Sequence, residues 1–139
     1  MAASTSRKVF INLPVRNLQA SIDFWTKLGF SFNPQFTDHT ATCMILSEEA
    51  YVMLLVDARF KDFTTNEICG PAQTEVLTCL SCSSRGEVDE MVQIAVANGG
   101  RHALEAKDYG FMYAWSFYDL DGHHWELMYM DPSAVPPHA

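Results

Sequence analysis

The sequence predicts an α+β fold in which tandem βαβββ modules form a curved mixed-sheet cleft. The segment Val9–Phe30 has the order of a strand, a helix cap, an amphipathic helix and a terminating glycine. The segment Val76–Gly100 repeats that order about half a chain later. The first strands of the two segments superpose when the numbering is shifted by 67 positions, which places Phe10 on Leu77. This repeat is the main evidence for two similar modules.

In the first module, strict alternation over Val9–Val15 predicts a strand. Asn17 is expected to cap the following helix, because its side chain can accept a free backbone N–H. Gly29 is expected to end the helix, since glycine tolerates a positive φ. Four apolar residues recur at helical spacing: Leu18, Ile22, Trp25 and Leu28. Three strand-like runs follow: Phe30–Phe36, Ala41–Leu46 and Tyr51–Val56.

The second module repeats this plan after a less regular segment with a short predicted helix at Ala58–Phe63. Ser84 and Glu87 have the spacing of a capping box. The predicted strands are Glu75–Cys82, Arg101–Ala106, Met112–Tyr118 and His124–Met130. We therefore expect a single domain over residues 1–139, with module one at about 8–57, a linker at about 58–73 and module two at about 74–131.

Composition excludes several classes of function. The formal net charge is −8 and no lysine or arginine cluster is present, so binding to nucleic acid is not expected. No run approaches the roughly 18 apolar residues of a membrane span. The N-terminus lacks the apolar core of a secretory signal, which favours a cytoplasmic protein. The CxxC pair Cys79 and Cys82 lies in a predicted strand, where positions three apart point to opposite faces, so neither a disulfide nor a shared metal is expected.

Two segments resemble a known family. FINLPVRNLQASIDFWTKLGF and SFYDLDGHHWELMYMDP are similar to the vicinal oxygen chelate superfamily, which includes glyoxalase I, extradiol dioxygenases, and bleomycin and fosfomycin resistance proteins. The resemblance covers nearly the whole chain and implies a glyoxalase-like branch. It also implies a homodimer. Because one fold hosts many functions, the resemblance says little about the substrate.

The resemblance implies four inward positions for metal ligands, on the first and last strands of each module. Carried over to this chain, they are Phe10, Leu54, Leu77 and Glu126. Only Glu126 has a donor atom suited to a divalent ion. The branch therefore lacks most metal ligands, and we predict no cofactor. A divalent metal held by Glu126 and His124, with Cys79 as a third ligand, is a weaker alternative.

The remaining candidate site is an apolar pocket holding one carboxylate. Alternation places His124, Glu126 and Met128 on one face of the last strand. Glu126 is the candidate general base, because a desolvated carboxylate can take or give a proton. The alternative is that Glu126 is a remnant that hydrogen-bonds to His124, Asn12 or a water. The predicted pocket residues are Phe10, Asn12, Val52, Leu54, Leu77, Cys79, Ser81, His124 and Met128.

Three functions fit these observations. The first is metal-independent binding of a small apolar or aromatic molecule in the cleft between the modules, as in the drug-sequestering resistance proteins. The second is a glyoxalase-like lyase or isomerase that uses Glu126 as a general base, with or without a divalent metal. The third is a non-catalytic structural or interaction module whose own aromatic side chains fill the cleft. We favour the first.

Overall fold

The chain divides into two units, each built around one mixed β-sheet. The structure is a computed structural model that describes residues 6–134. The first unit ends at Ile68 and the second begins at Cys69, inside the predicted linker. One domain over residues 1–139 stays a prediction, and its two ends, residues 1–5 and 135–139, lie outside the described residues.

The first unit contains a four-stranded sheet and has the predicted βαβββ order. Its elements are β1 (Val9–Val15), α1 (Leu18–Lys27), β2 (Ser31–Phe32), a 3-10 turn (Pro34–Phe36), β3 (Ala41–Ile45), β4 (Ala50–Val56) and α2 (Asp57–Phe60). The strand order is β1-β4-β3-β2, with β1 and β4 parallel and the other pairs antiparallel. The predicted cap is confirmed, since the backbone N–H of Ala20 donates to Asn17 Oδ1 at 3.0 Å. Gly29 has a φ of 95° after the helix.

The predicted strand over Phe30–Phe36 is wrong beyond its first residues. Only Ser31–Phe32 pairs with β3. Asn33 then caps a 3-10 turn by accepting the backbone N–H of Gln35 at 3.0 Å, and Pro34 begins that turn. Proline has no N–H to donate to a strand ladder, whereas its fixed φ suits the first position of a helical turn.

The second unit contains five strands around α3. Its elements are β5 (Leu77–Ser81), α3 (Arg85–Ala97), β6 (Arg101–His102), β7 (Lys107–Asp108), β8 (Met112–Tyr118) and β9 (His124–Met130). The strand order is β5-β9-β8-β6, and β7 also pairs with β8. The order β5-β9-β8-β6 matches the order of the first sheet, so the predicted repeat is confirmed in the topology.

Two local predictions in this unit need correction. The strand predicted for Arg101–Ala106 is interrupted after His102, where the backbone N–H of Leu104 donates to Ser116 Oγ at 3.1 Å instead of joining a ladder. The capping box is displaced by one residue. Ser84 Oγ accepts the N–H of Glu87 at 3.0 Å, but Glu87 Oε1 accepts the N–H of Ser83 rather than that of Ser84.

A buried carboxylate anchors the turn that leads into β9. Asp119 Oδ2 accepts the indole N–H of Trp125 at 2.9 Å. Asp119 Oδ1 accepts the backbone N–H groups of Asp121 and His123 at 2.9 and 3.0 Å. Burial raises the pKa of Asp119, and the nearby His123 and the bond from Trp125 oppose that rise. This network sets where β9 begins, and therefore which face each of its side chains occupies.

Candidate functional site

Most of the residues predicted for a pocket lie on one face of the second sheet. Strand β9 places His124, Glu126 and Met128 there by alternation. Parallel register pairs these three with Leu77, Cys79 and Ser81 of β5. Antiparallel register pairs them with Tyr118, Ser116 and Ala114 of β8. Directly paired residues point to the same side of a sheet. We call this the second open face; it consists of these nine residues and the adjoining pair Met112 and Met130.

The opposite face of the second sheet is the core beneath α3. Phe117, Trp125 and Leu127 have no exposed surface there. The hydroxyl of Tyr113 donates to Asp89 of α3, which places Tyr113 on the same side. The sequence alone left open which face Tyr113, Trp115 and Phe117 occupy; alternation along β8 now assigns all three to the helix-covered face.

A histidine and a carboxylate form the polar centre of the second open face. His124 Nε2 lies 2.6 Å from Glu126 Oε2. The side chain of His124 is 10 % exposed and that of Glu126 is 30 % exposed. A hydrogen bond of this length between partly desolvated groups holds both side chains in one orientation. The pair offers a proton donor or acceptor to a ligand on this face.

Two further side chains continue the polar centre toward the edge of the sheet. The ring of Tyr118 meets the imidazole of His124 edge-on, with ring centroids 5.2 Å apart. The guanidinium of Arg101 lies over the Tyr118 ring at 4.8 Å. Arg101 pairs with Tyr118 in the sheet and so belongs to the same face.

Cys79 lies beside Glu126 on the second open face. Partial desolvation of the thiol raises the pKa of Cys79, and the negative charge of Glu126 raises it further. A thiol with a raised pKa stays protonated near neutral pH, so it is a poor nucleophile and a poor metal ligand. Cys82 Sγ instead contacts Met91 Sδ of α3 at 3.8 Å. The predicted opposite orientation of these two cysteines is confirmed, and both thiols are free.

Two cavities adjoin this face within the second unit. The smaller, of about 70 Å³, includes Glu126 and Ser116 in its wall and is bounded by the loop around Leu104. The larger, of about 300 Å³, is lined by Pro71, Ala72, Thr74, Arg101 and Tyr118. The smaller has room for a few water molecules, while the larger reaches the lower limit for small-molecule sites.

The first sheet presents Phe10 and Asn12 on its exposed face, and their role in a pocket stays a prediction. The rings of Phe10 and Tyr51 stack with centroids 4.9 Å apart and planes 14° apart. The Asn12 side chain donates to the carbonyl of Phe10 at 3.2 Å. In register, the partners of Phe10 and Asn12 on β4 are Tyr51 and Met53. This exposed face therefore carries aromatic, amide and thioether groups.

The prediction for Val52 and Leu54 is wrong. Both residues have no exposed surface and lie on the helix-covered face, paired with Ile11 and Leu13. A shift of one residue along a strand moves a side chain to the opposite face. The register also shows which residue of β4 corresponds to Glu126. Asn12 and Cys79 are equivalent under the shift of 67, and their strand partners are Met53 and Glu126, so Met53 takes the position predicted for Leu54.

The corrected positions do not fit a divalent metal. The first unit supplies Phe10 and Met53, and the second supplies Leu77 and Glu126. Phenylalanine and leucine have no donor atom, and a thioether is a soft ligand poorly suited to hard divalent ions. Within residues 6–134, no cluster of three His, Cys, Asp or Glu side chains could hold a metal ion. The alternative set of Glu126, His124 and Cys79 therefore lacks support, while the predicted absence of a cofactor stays a prediction.

Sequence reasoning missed Tyr118, Ser116 and Arg101 as neighbours of the polar centre. The antiparallel pairing of β8 with β9 places Ser116 opposite Glu126 and Tyr118 opposite His124. The short connection between the predicted strands Met112–Tyr118 and His124–Met130 contained this information, because a short turn fixes the register of the two strands that it joins. Arg101 could not be found in the same way, since the long connection between β6 and β8, which contains β7, does not fix their register.

The fold and the site geometry define a class of protein. A family model for the glyoxalase/bleomycin resistance protein/dioxygenase superfamily matches residues 8–127, and the chain belongs to this superfamily. The resemblance to this superfamily that the sequence indicated is therefore confirmed. No curated protein matches the sequence.

Among solved structures, the chain is similar to the hypothetical protein SA1046 from S. aureus, with 26% identity and a TM-score of 0.76 over 91% of this chain and 95% of that one. It is similar in fold to a glyoxalase-related enzyme from Fulvimarina pelagi, with 17% identity and a TM-score of 0.75 over 90% and 88%. A glyoxalase/bleomycin resistance protein/dioxygenase family enzyme from Burkholderia phytofirmans PsJN has 12% identity and a TM-score of 0.73 over 87% and 96%. No helix in the described part of the chain has the length and apolar character needed to cross a bilayer.

Proposed function

We propose that this chain is a small-molecule binding protein that holds an apolar or aromatic ligand on the second open face without a metal. The observation that carries the proposal is the chemical content of that face. Thioether, aliphatic and aromatic groups surround one hydrogen-bonded pair, His124 and Glu126. Ligand sites usually combine a mostly apolar lining with a few polar groups that fix orientation.

The methionines suit this role. Met112, Met128 and Met130 lie on the same face, and Met112 and Met130 are directly opposite each other. Methionine is flexible and polarisable, so its side chains adapt to ligands of different shape and make favourable contacts with aromatic rings. Hydrogen-bonding groups of the ligand would meet the polar centre, which consists of the His124–Glu126 pair and the adjoining Tyr118 and Arg101. The homodimer, the cytoplasmic location and the absence of nucleic acid and membrane partners remain part of the proposal.

The first test measures binding of the neutral aromatic probe 2-naphthamide by calorimetry in the presence of EDTA. We expect binding without metal, and a loss of about tenfold in affinity for Met128→Gln, since removing apolar contact of this size costs about 1.4 kcal/mol. The control is Glu90→Gln, an exposed change on α3, which should leave the affinity unchanged.

The second test measures the metal content of purified protein after incubation with nickel, zinc, manganese or iron and dialysis. The proposal expects no retained metal. Stoichiometric retention of any of these ions would contradict metal-independent binding and would favour the enzymatic alternative in its metal-dependent form.

The second candidate function is a lyase or isomerase reaction with Glu126 as general base. The observation that favours it is the 2.6 Å contact between Glu126 and His124, which could pass a proton between a ligand and the pair. Under this candidate, Glu126→Gln abolishes turnover while 2-naphthamide still binds. Under the binding-protein proposal, neither the wild type nor the variant converts a bound ligand. The purely structural alternative has less support, because the second unit contains a cavity of about 300 Å³.

A further inference from the structure

The larger cavity of the second unit differs in chemistry from the rest of the candidate site. It has a volume of about 300 Å³, and its wall combines the segment around Pro71–Thr74 with Arg101 and Tyr118. The wall therefore contains a cation, an aromatic ring, a proline and a hydroxyl. Tyr118 also contacts His124, which connects this cavity with the polar centre of the second open face.

The electrostatic surroundings of Arg101 are unusual for this chain. Three arginines lie over aromatic rings: Arg59 over Phe63, Arg85 over Tyr113 and Arg101 over Tyr118. Arg59 pairs with Asp62 at 3.0 Å, and Arg85 pairs with Asp108 at 2.8 Å. For Arg101, no ion pair is found within residues 6–134. A guanidinium that rests on a ring and faces a cavity has N–H donors available for a ligand.

We propose that the cavity recognises the carboxylate of an aromatic or apolar acid, with Arg101 as the anchoring cation and Tyr118 as the surface that orients it. The inference rests on the proposed function and names its ligand class. A planar guanidinium matches a carboxylate through two parallel hydrogen bonds. The contact with Tyr118 restrains the guanidinium, so less side-chain entropy is lost on binding.

Because the chain is acidic, binding of an anionic ligand should depend on Arg101. The chain carries a formal charge of −8, which disfavours an anion unless a cation lies close to it. At physiological salt, charges further away than about 8 Å are largely screened. A carboxylate is also better suited than a phosphate, because phosphate sites usually gather several donors from backbone N–H groups or basic clusters. Among the described residues that line the cavity, Arg101 is the cationic one.

The test compares two probes of nearly identical shape, 2-naphthoate and 2-naphthamide, by calorimetry. We expect the wild type to bind 2-naphthoate at least about tenfold more tightly, since hydrogen bonds to charged groups are worth roughly 1.5–3 kcal/mol. R101Q should remove this preference, while R101K should keep part of it, because lysine keeps the charge but not the planar fork. R85Q is the matched control and should keep the full preference, since Arg85 lies on a ring but already pairs with Asp108.

The outcomes separate this inference from the proposed function. Loss of the preference for 2-naphthoate in R101Q, in a variant that still binds 2-naphthamide and keeps the wild-type circular dichroism spectrum, supports the inference. Equal binding of the two probes by the wild type, or a preference that survives in R101Q, overturns the inference and leaves the proposed function standing. Failure of both probes to bind the wild type contradicts both.

Discussion

The two halves of the chain share a topology and differ in what their exposed sheet faces carry. Strand orders β1-β4-β3-β2 and β5-β9-β8-β6 correspond one to one. In the first half, Phe10 stacks on Tyr51, and Asn12 bonds to its own backbone neighbour. In the second half, the partners of the equivalent positions are His124 and Glu126, which bond to each other. The repeat therefore preserves backbone positions, whereas the hydrogen-bonded histidine–carboxylate pair occurs on the exposed face of the second half.

The connections between the third and fourth strands differ in the same way. In the first half, the residues around Glu48 form an exposed turn. In the second half, Asp119 is buried beneath the turn and accepts three hydrogen bonds. The second half therefore holds its last strand, with the polar centre, in a more constrained register.

A substitution in the turn of the second half should destabilise the protein far more than one in the turn of the first half. Asp119→Ala should lower the free energy of unfolding by about 3–5 kcal/mol, because it removes the buried carboxylate that accepts the Trp125 indole N–H and two backbone N–H groups. Glu48→Ala should change it by less than about 0.5 kcal/mol, as is usual for exposed positions. Urea denaturation measures both. Similar losses for the two variants would show that the two turns are equally constrained.

One added histidine should create a metal site in the second half but not in the first. Leu77→His places an imidazole directly opposite His124 and close to Glu126, so the three side chains have the ligand types that zinc and nickel prefer. This variant should retain stoichiometric Ni²⁺ or Zn²⁺ through dialysis.

Phe10→His is its matched control, because the equivalent position in the first half faces Tyr51 and lies next to Met53. It should retain no metal. Metal content by mass spectrometry of the dialysed proteins measures both. Retention by both variants, or by neither, would contradict the difference between the halves.

The smallest effect is a pH dependence of opposite sign in the two halves. In the first half, bonds from the Thr40 side chain and backbone lower the pKa of Asp38. Its contribution to stability is present above the unfolded-state pKa of about 3.9 and is lost as the pH falls through the lower folded-state value. In the second half, burial raises the pKa of Asp119. Its contribution is present below about pH 3.9 and is lost as the pH rises through the higher folded-state value.

Urea midpoints of the wild type, Asp38→Asn and Asp119→Asn between about pH 3 and 7 measure this difference. The urea midpoint of the wild type should exceed that of Asp38→Asn by less at low pH than at high pH. Relative to Asp119→Asn, the midpoint of the wild type should fall as the pH rises. Parallel pH profiles for the two variants would contradict the assigned directions.

Much of the candidate site could be predicted from sequence, because β-strand alternation needs only the order of residues. Alternation placed His124 and Glu126 on one face, and Leu77 and Cys79 were predicted as residues of the same pocket. The same reasoning was wrong at Leu54. The run YVMLLV is apolar on both faces, so it has no period that distinguishes one face from the other. Only the pairing of β4 with β1 shows that Met53, rather than Leu54, lies on the exposed face.

By itself, the sequence determined the repeated βαβββ order, the helix cap at Asn17 and the scarcity of hard metal ligands, since these depend on residue type and local spacing. Tertiary structure alone decided which face of β4 is exposed, where Arg101 lies, and that Asp119 is buried beneath the turn into β9. The physical reason is that strand register and burial are set by contacts between residues distant in the chain. Pro71 and Thr74, for example, line the same cavity as Arg101 and carry no local signal of that proximity.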